Sequence, residues 1–187
     1  MLIFITGGVR SGKSTFAEML AGSTGNGVLN YVATSLETDL EMKRRIKRHQ
    51  QMRQVQDRNW ITYEQPYDTE KVSCCFSKKD TVLLDCLTIL LSNELFRENI
   101  ERSNKEVMKH ILHGLSSIKK ACGTLIIVSN EVFHEAQDSK GTLVNTYVSL
   151  LGKLHQELVK IADEAYLVEN GVPIRKKGPG KKGERLL

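Results

Sequence analysis

Apolar positions along the chain gather in short runs, and the runs are separated by longer stretches in which apolar and polar residues mix. Residues 2–6 (LIFIT), 30–34 (NYVAT), 81–86 (TVLLDC) and 124–129 (TLIIVS) are nearly continuous apolar runs of strand length. Runs of this kind mark strands buried on both faces, as in a parallel sheet. Between them the spacing changes. A helix is expected from about Lys13, and a second over 37–58, a long polar stretch free of Gly and Pro. A third follows Cys86 through about Arg97. A fourth covers 104–121, where Val107, Ile111, Leu115 and Ile118 recur at helical spacing, and a fifth covers 143–162. Near the end, EAYLVENGVPIRK places Asn170-Gly171 between two strand-like runs, the signal of a type I′ hairpin. Strands alternating with helices predict one α/β domain: a mostly parallel sheet covered on both faces, with an antiparallel hairpin at one edge.

Composition changes this picture little. Of the 187 residues, 40% are hydrophobic and 26% charged, which is ordinary for a globular protein, and the length suits one domain. No apolar run approaches a membrane span, and the first apolar run enters a Gly-rich loop instead of a cleavage site, so a cytoplasmic protein is expected. The net charge of +5 owes much to RKKGPGKKGER, where six Lys/Arg meet one Glu. Such a run buries no apolar surface. It divides the chain into a domain over 1–175 and a basic, flexible tail over 176–187, and no nucleic-acid partner is expected from it. Cys74, Cys75, Cys86 and Cys122 have neither C-x-x-C spacing nor a histidine at zinc-finger distance, and read as free thiols.

The first strand runs into the strongest chemical signal. Gly7-Gly8-Val9-Arg10-Ser11-Gly12-Lys13-Ser14 matches G-x-x-x-x-G-K-[ST], and it follows a strand and opens a helix as that motif requires. Several phosphate oxygens must meet backbone N–H groups at once, so the loop curls tightly and glycine is needed where a Cβ would intrude. The helix adds its unpaired N–H groups and the positive end of its dipole. Lys13 is placed to reach the β- and γ-phosphates, and the Ser14 hydroxyl to ligate Mg²⁺. The expected fold is accordingly a three-layer P-loop NTPase fold of the RecA-like kind. Asp85 closes TVLLD, where it serves either as a second metal ligand or as a cap of the next turn. Ser129-Asn130-Glu131 and Thr34-Ser35 follow their strands in the same way, and ligands in open α/β sheets sit beyond the carboxyl ends of the strands.

Histidines divide by context. Met42, Ile46, His49, Arg53 and Gln56 form one stripe of the expected 37–58 helix, which turns His49 toward protein or a cleft edge instead of bulk water. His110 and His113 stand at i, i+3 with no third metal ligand in sequence reach.

The chain as a whole resembles a known family. ITGGVRSGKS, YVATS, the basic RIKRH, Trp60-x-x-x-Glu64, LLDCLT, VSNEV and ADEAYLVENGVP occur in family order. Together they resemble the bifunctional adenosylcobinamide kinase / adenosylcobinamide-phosphate guanylyltransferases of cobalamin biosynthesis, over residues 1 to about 175. The resemblance implies phosphorylation of adenosylcobinamide by ATP or GTP. Attack of a histidine on GTP follows, and GMP then passes to the cobinamide phosphate. By motif position that histidine is His49, with Lys13 as the other catalytic group. Nucleotide contacts are implied for Gly7, Gly8, Val9, Arg10, Ser11, Gly12, Lys13, Ser14, Thr15, Ala33, Thr34, Ser35, Gln50, Arg53, Glu64 and Asp85. Ser14 and Asp85 are implied as Mg²⁺ ligands, and a homo-oligomer, a trimer by resemblance, as the assembly. A neutral imidazole is a competent nucleophile near neutral pH.

This chain also departs from the family pattern. His49 and Trp60 are a few residues farther apart, and an expected Arg-Pro is missing. Phe133 stands where a glycine follows Asn-Glu-Val, and where the family usually carries an Arg-Asp pair and an Asn-Gln pair, NTYVSLLGKLHQ keeps only Gly152 and Gln156. A kinase without guanylyl transfer and a nucleotide-binding regulatory protein are the competing readings.

Overall fold

A computed structural model describes residues 1–24, 27–36, 60–131 and 142–179. Among the described residues, seven strands form one sheet in the order β3-β2-β4-β5-β1-β6-β7. They are β1 (Leu2–Gly7), β2 (Leu29–Ala33), β3 (Trp60–Glu64), β4 (Thr81–Asp85), β5 (Thr124–Asn130), β6 (Glu164–Glu169) and β7 (Val172–Lys177). Every pairing is parallel except β6–β7. The described helices are α1 (Lys13–Ser23), α2 (Leu87–Leu95), α3 (Asn104–Ala121) and α4 (Thr142–Ile161), with a 3-10 helix at Thr69–Cys75.

The apolar runs have the structure they predict. Because neighbouring strand residues point to opposite faces, Leu2, Phe4, Val82, Leu84, Leu125 and Ile127 enter one core with α2, α3 and α4. Ile3, Ile5, Leu83, Ile126 and Val128 enter a second core, against Phe16, Ala17 and Ala21 of α1. Two covered faces explain why these strands lack polar alternation. The stripe Val107, Ile111, Leu115 and Ile118 is the buried face of α3. That helix opens with a capping box: the Glu106 N–H donates to Ser103 Oγ at 3.4 Å, and the Ser103 N–H donates to the Glu106 carboxylate at 2.7 Å.

Two features lie outside the sequence expectation, the strand at Trp60–Glu64 and the 3-10 helix. Trp60–Glu64 is a strand at the sheet's edge, and with Ile61, Thr62 and Glu64 exposed it shows no apolar run to read. The C-terminal hairpin is the antiparallel edge pair that the sequence predicts, and its first arm, β6, also pairs in parallel with β1. The 3-10 helix, too short for a periodic signal, holds only Thr69 and Val72 buried. At the hairpin turn, Asn170 and Gly171 have φ values of 51° and 81°, as a type I′ turn requires. The expected 37–58 helix lies outside the described residues. So does the end of the tail, with β7 running to Lys177.

Candidate active site

Parallel pairing lines up the carboxyl ends of five strands. Ala33 is in register with both Glu64 and Asp85, Asp85 with Val128, and Gly7 with Asn130. The sequence-predicted positions Gly7–Thr15, Ala33–Ser35, Glu64 and Asp85 therefore share one edge of the sheet. His49, Gln50 and Arg53 lie outside the described residues, as does Phe133.

The loop between β1 and α1 has a conformation that its glycines allow. Gly12, the N-cap of α1, sits at φ 91°, and Arg10 also adopts a left-handed conformation at φ 60°. A Cβ on Gly7 would overlap the Val168 carbonyl oxygen and lie 2.8 Å from Ser11 Oγ. Gly8, Val9 and Arg10 are exposed, whereas Lys13 is buried although it carries a charge. Its Nζ donates to the Gly8 carbonyl at 3.0 Å, which bends the ammonium back over the loop. The Ser11 N–H also donates to the Gly8 carbonyl, at 3.2 Å. The loop is braced from outside by the Gly171 N–H on the Ser11 carbonyl at 2.8 Å, and by the Glu131 N–H on the Gly7 carbonyl at 3.1 Å.

Ser14, in the first turn of α1, is half-buried, as is Asp85 at the end of β4. One Asp85 carboxylate oxygen accepts from the Tyr31 hydroxyl at 3.1 Å. A hydroxyl and a carboxylate are hard oxygen donors, and the pair suits Mg²⁺. Thr34 is fully buried and works as a bolt. Its hydroxyl donates to the Cys86 carbonyl and accepts from the Cys86 N–H, both at 2.8 Å, while its own N–H donates to the Asp85 carbonyl at 3.2 Å. The hydroxyl thus joins the end of β2 to the residue after Asp85. Ser35, one residue on, is half-buried.

A further polar group escaped the sequence reading. Asn93 Nδ2 donates to the Thr34 carbonyl at 2.8 Å and to the Pro66 carbonyl at 3.1 Å, tying together the segments that follow β2 and β3. Next to it, Asp68, Glu94 and His110 bring ligand-type atoms within 4.8 Å of one another. His110 Nε2 lies 3.0 Å from Asp68 and 3.3 Å from Glu94. Tertiary folding thus supplies the acidic partners that its helix does not. Yet Arg97 forks both Asp68 oxygens at 2.8 and 3.1 Å, Lys71 reaches Asp68 at 2.9 Å, and Arg102 reaches Glu94 at 2.9 Å. With three permanent cations around two carboxylates, the cluster is a clasp on the segment after β3 and is poorly suited to a metal ion. The Arg97 guanidinium, by hydrogen bonding, holds Asp68 well below the usual carboxylate range. No signal in the sequence joins residues 68, 94 and 110, because they come from three separate elements.

The sheet order, the phosphate loop after β1 and the acidic end of β4 define the class: a P-loop nucleotide-binding protein of three-layer α/β architecture. Solved structures agree on the fold. Flagellar accessory protein FlaH from Methanocaldococcus jannaschii superposes with a TM-score of 0.51 at 18% identity, covering 98% of this chain and 82% of that one. The RadB recombinase gives 0.50 at 14% identity, covering 98% and 84%. A family model described as cobinamide kinase / cobinamide phosphate guanyltransferase matches residues 3–176, and the chain belongs to that family of enzymes. Among its relatives, the bifunctional adenosylcobalamin biosynthesis protein CobU of Escherichia coli (strain K12) is 31% identical over 186 residues, covering 94% of this chain and 99% of the relative. The bifunctional adenosylcobalamin biosynthesis protein CobP of Pseudomonas aeruginosa is 34% identical over 175 residues, covering 93% and 96%. Among the described residues no helix is long and apolar enough to cross a membrane.

Proposed function

We propose that this protein catalyses two transfers on one corrinoid, with one nucleotide-binding unit over residues 1–175 serving both. It phosphorylates the hydroxyl of adenosylcobinamide from ATP or GTP, and it then passes GMP from GTP to the resulting phosphate. The observation that carries the reading is the family match over residues 3–176, on a chain in which Lys13 folds back onto the Gly8 carbonyl and parallel pairing lines up Gly7, Ala33, Glu64 and Asp85 at one edge.

In the first transfer, the amides of Gly7–Ser14 hold the polyphosphate, and Lys13 neutralises charge on the oxygens between the β- and γ-phosphates. Ser14 and Asp85 would hold Mg²⁺, which screens the phosphate charge when bound. The substrate hydroxyl attacks the γ-phosphorus and the nucleoside diphosphate leaves. In the second transfer, the neutral imidazole of His49 attacks the α-phosphorus of GTP. A phosphorus–nitrogen bond forms, the bond to the bridging oxygen breaks and pyrophosphate departs, its charge met by Lys13. An oxygen of the cobinamide phosphate then attacks the same phosphorus, giving adenosylcobinamide-GDP and freeing the histidine. Ser35, Glu64, Gln50 and Arg53 are the further nucleotide contacts in this reading, and the family resemblance favours a homo-oligomer.

The test is incubation with GTP labelled at the α-phosphate, for wild type beside His49→Ala. Label retained by wild type alone, acid-labile and alkali-stable, is the expected result. Guanylyl transfer that survives His49→Ala would sink the histidine step. Phosphoryl transfer without any labelled protein would leave a kinase alone.

A further inference from the structure

Helix α4 reaches two of the strand ends that frame the nucleotide site, and it does so through polar groups. His155 Nε2 is 2.8 Å from Ser129 Oγ, Ser129 Oγ is 3.3 Å from Thr88 Oγ1, and Thr88 Oγ1 accepts from the Asn130 N–H at 2.8 Å. Nearer the start of α4, the Tyr147 hydroxyl donates to the Thr88 carbonyl at 2.9 Å. Ser129 is fully buried and Thr88 nearly so. His155 packs edge-on against Phe4 of β1, with ring centroids 5.1 Å apart.

These contacts have a direction in the fold. Thr88 stands three residues after Asp85, in the first turn of α2. Asn130 is the register partner of Gly7, and the next residue, Glu131, donates its N–H to the Gly7 carbonyl at 3.1 Å. So one helix grips the segment that follows the acidic strand end and the segment that braces the first glycine of the phosphate loop. Buried hydroxyls need partners, because an orphaned donor or acceptor keeps its full desolvation cost. A neutral imidazole supplies that partner at Nε2 either as donor or as acceptor, so the chain of hydrogen bonds closes in either sense. An aliphatic side chain of similar volume fills the space beside Phe4 and offers Ser129 nothing.

We infer that His155 is a positioning residue for the nucleotide site: through Ser129 and Thr88 it sets the ends of β4 and β5 against the phosphate loop, with Tyr147 as the second grip of the same helix. The inference deepens the proposed function and rests on it only in taking the Gly7–Ser14 loop as the nucleotide site. Neither side chain is required to touch nucleotide.

The experiment measures ATP and GTP affinity directly, by calorimetry with Mg²⁺, for wild type, His155→Leu, His155→Gln and Tyr147→Phe, each well below its own melting midpoint. Loss of one buried hydrogen bond is expected to weaken nucleotide binding by about three- to tenfold in His155→Leu. His155→Gln, which restores an amide donor and acceptor, is expected to recover most of that loss. Should His155→Leu fail to fold, Tyr147→Phe removes only the hydroxyl and is expected to weaken binding in the same sense. Melting midpoints that fall while nucleotide affinity stays at the wild-type value in both His155→Leu and Tyr147→Phe would overturn the inference, leaving a purely structural contact. Equal weakening in His155→Leu and His155→Gln would overturn it too, because bulk and not hydrogen bonding would then decide. Because nucleotide binding is the readout, absence of cobinamide phosphorylation by wild type would count against the proposed function and leave this test intact.

Discussion

The Gly171 N–H donates to the Ser11 carbonyl at 2.8 Å, so the turn that closes the last hairpin also braces the middle of the phosphate loop. The approach is close because Gly12, the residue after Ser11, lacks a side chain. A Cβ on Gly12 would stand 3.1 Å from Gly171 Cα, whereas a Cβ on Gly171 would meet nothing within 4 Å. Both residues have positive φ, at 91° and 81°. Gly171→Ala therefore carries backbone strain alone, about 1–2 kcal/mol, and for a chain of this size a melting point lower by roughly 2–8 °C. Its N–H remains, so ATP affinity is expected to stay near wild type. Gly12→Ala adds to its own backbone strain a tight contact with Gly171, which must shift by a few tenths of an ångström, and is expected to lose both stability and ATP affinity. Thermal melts and ATP titrations of the two variants check the contrast; equal effects on affinity would show that the turn is not separable from the loop.

Acid stability is expected to pass through Asp68. Its carboxylate is held low chiefly by hydrogen bonds from Arg97, with Lys71 adding to the effect. A folded-state value below the unfolded one means that this contribution is present in full above about pH 4 and is lost as pH falls below it. Arg97→Ala removes the fork that does most of this. Its acid-unfolding midpoint, followed by circular dichroism, is expected to move to higher pH than that of wild type. Arg97→Lys keeps a charge but not the paired geometry, and should recover only part of the shift. An unchanged midpoint in Arg97→Ala would show that Lys71 and His110 suffice to hold Asp68.

A second pH dependence belongs to His155. Desolvation lowers it to about 4 from an ordinary 6.5, so the folded protein prefers the neutral ring. With the folded value below the unfolded one, the stability from this group is fully present above about pH 6.5 and declines toward about pH 4. The decline amounts to no more than about 3 kcal/mol. His155→Gln cannot titrate, and denaturant midpoints measured across that interval should flatten relative to wild type. A slope unchanged by the substitution would assign the dependence to other groups.

What could be read from the sequence follows from how local each signal is. The phosphate loop is contiguous, and its strand–loop–helix context is contiguous too, so Gly7–Ser14 and the two-faced strands were legible. The place of Asp85 at the end of β4 was legible because a strand end is visible as the end of an apolar run. The edge strand Trp60–Glu64 was not, since a strand with one neighbour and three exposed residues has no buried pattern. The bolt at Thr34 reads in sequence only as a strand-end hydroxyl; the structure spends that hydroxyl on Cys86, fifty-two positions away. Likewise His110 shows only its i, i+3 spacing to His113, and His155 carries no pattern of its own. Each acquires its partners from elements distant in sequence, Asp68 and Glu94 for the first and Ser129 for the second.

The four cysteines are expected to separate by reactivity. Cys74 and Cys75 are exposed at the end of the 3-10 helix, and Cys86 and Cys122 are buried. Burial pushes the Cys86 and Cys122 thiols up to about 11, so almost none of either is thiolate at neutral pH. Cys75 is also raised, by desolvation and then by the neighbouring Cys74 thiol. Brief treatment of the folded protein with iodoacetamide should therefore label the exposed Cys74 and Cys75 and leave Cys86 and Cys122 untouched until denaturant is added. Removing the neighbour in Cys74→Ala should bring the onset of Cys75 alkylation to lower pH. Peptide mapping by mass spectrometry reads both outcomes. Fast labelling of Cys86 in the native protein would mean that the packing beside Asp85 and Thr34 opens readily, and it would weaken the account of Thr34 as a fixed bolt between two strand ends.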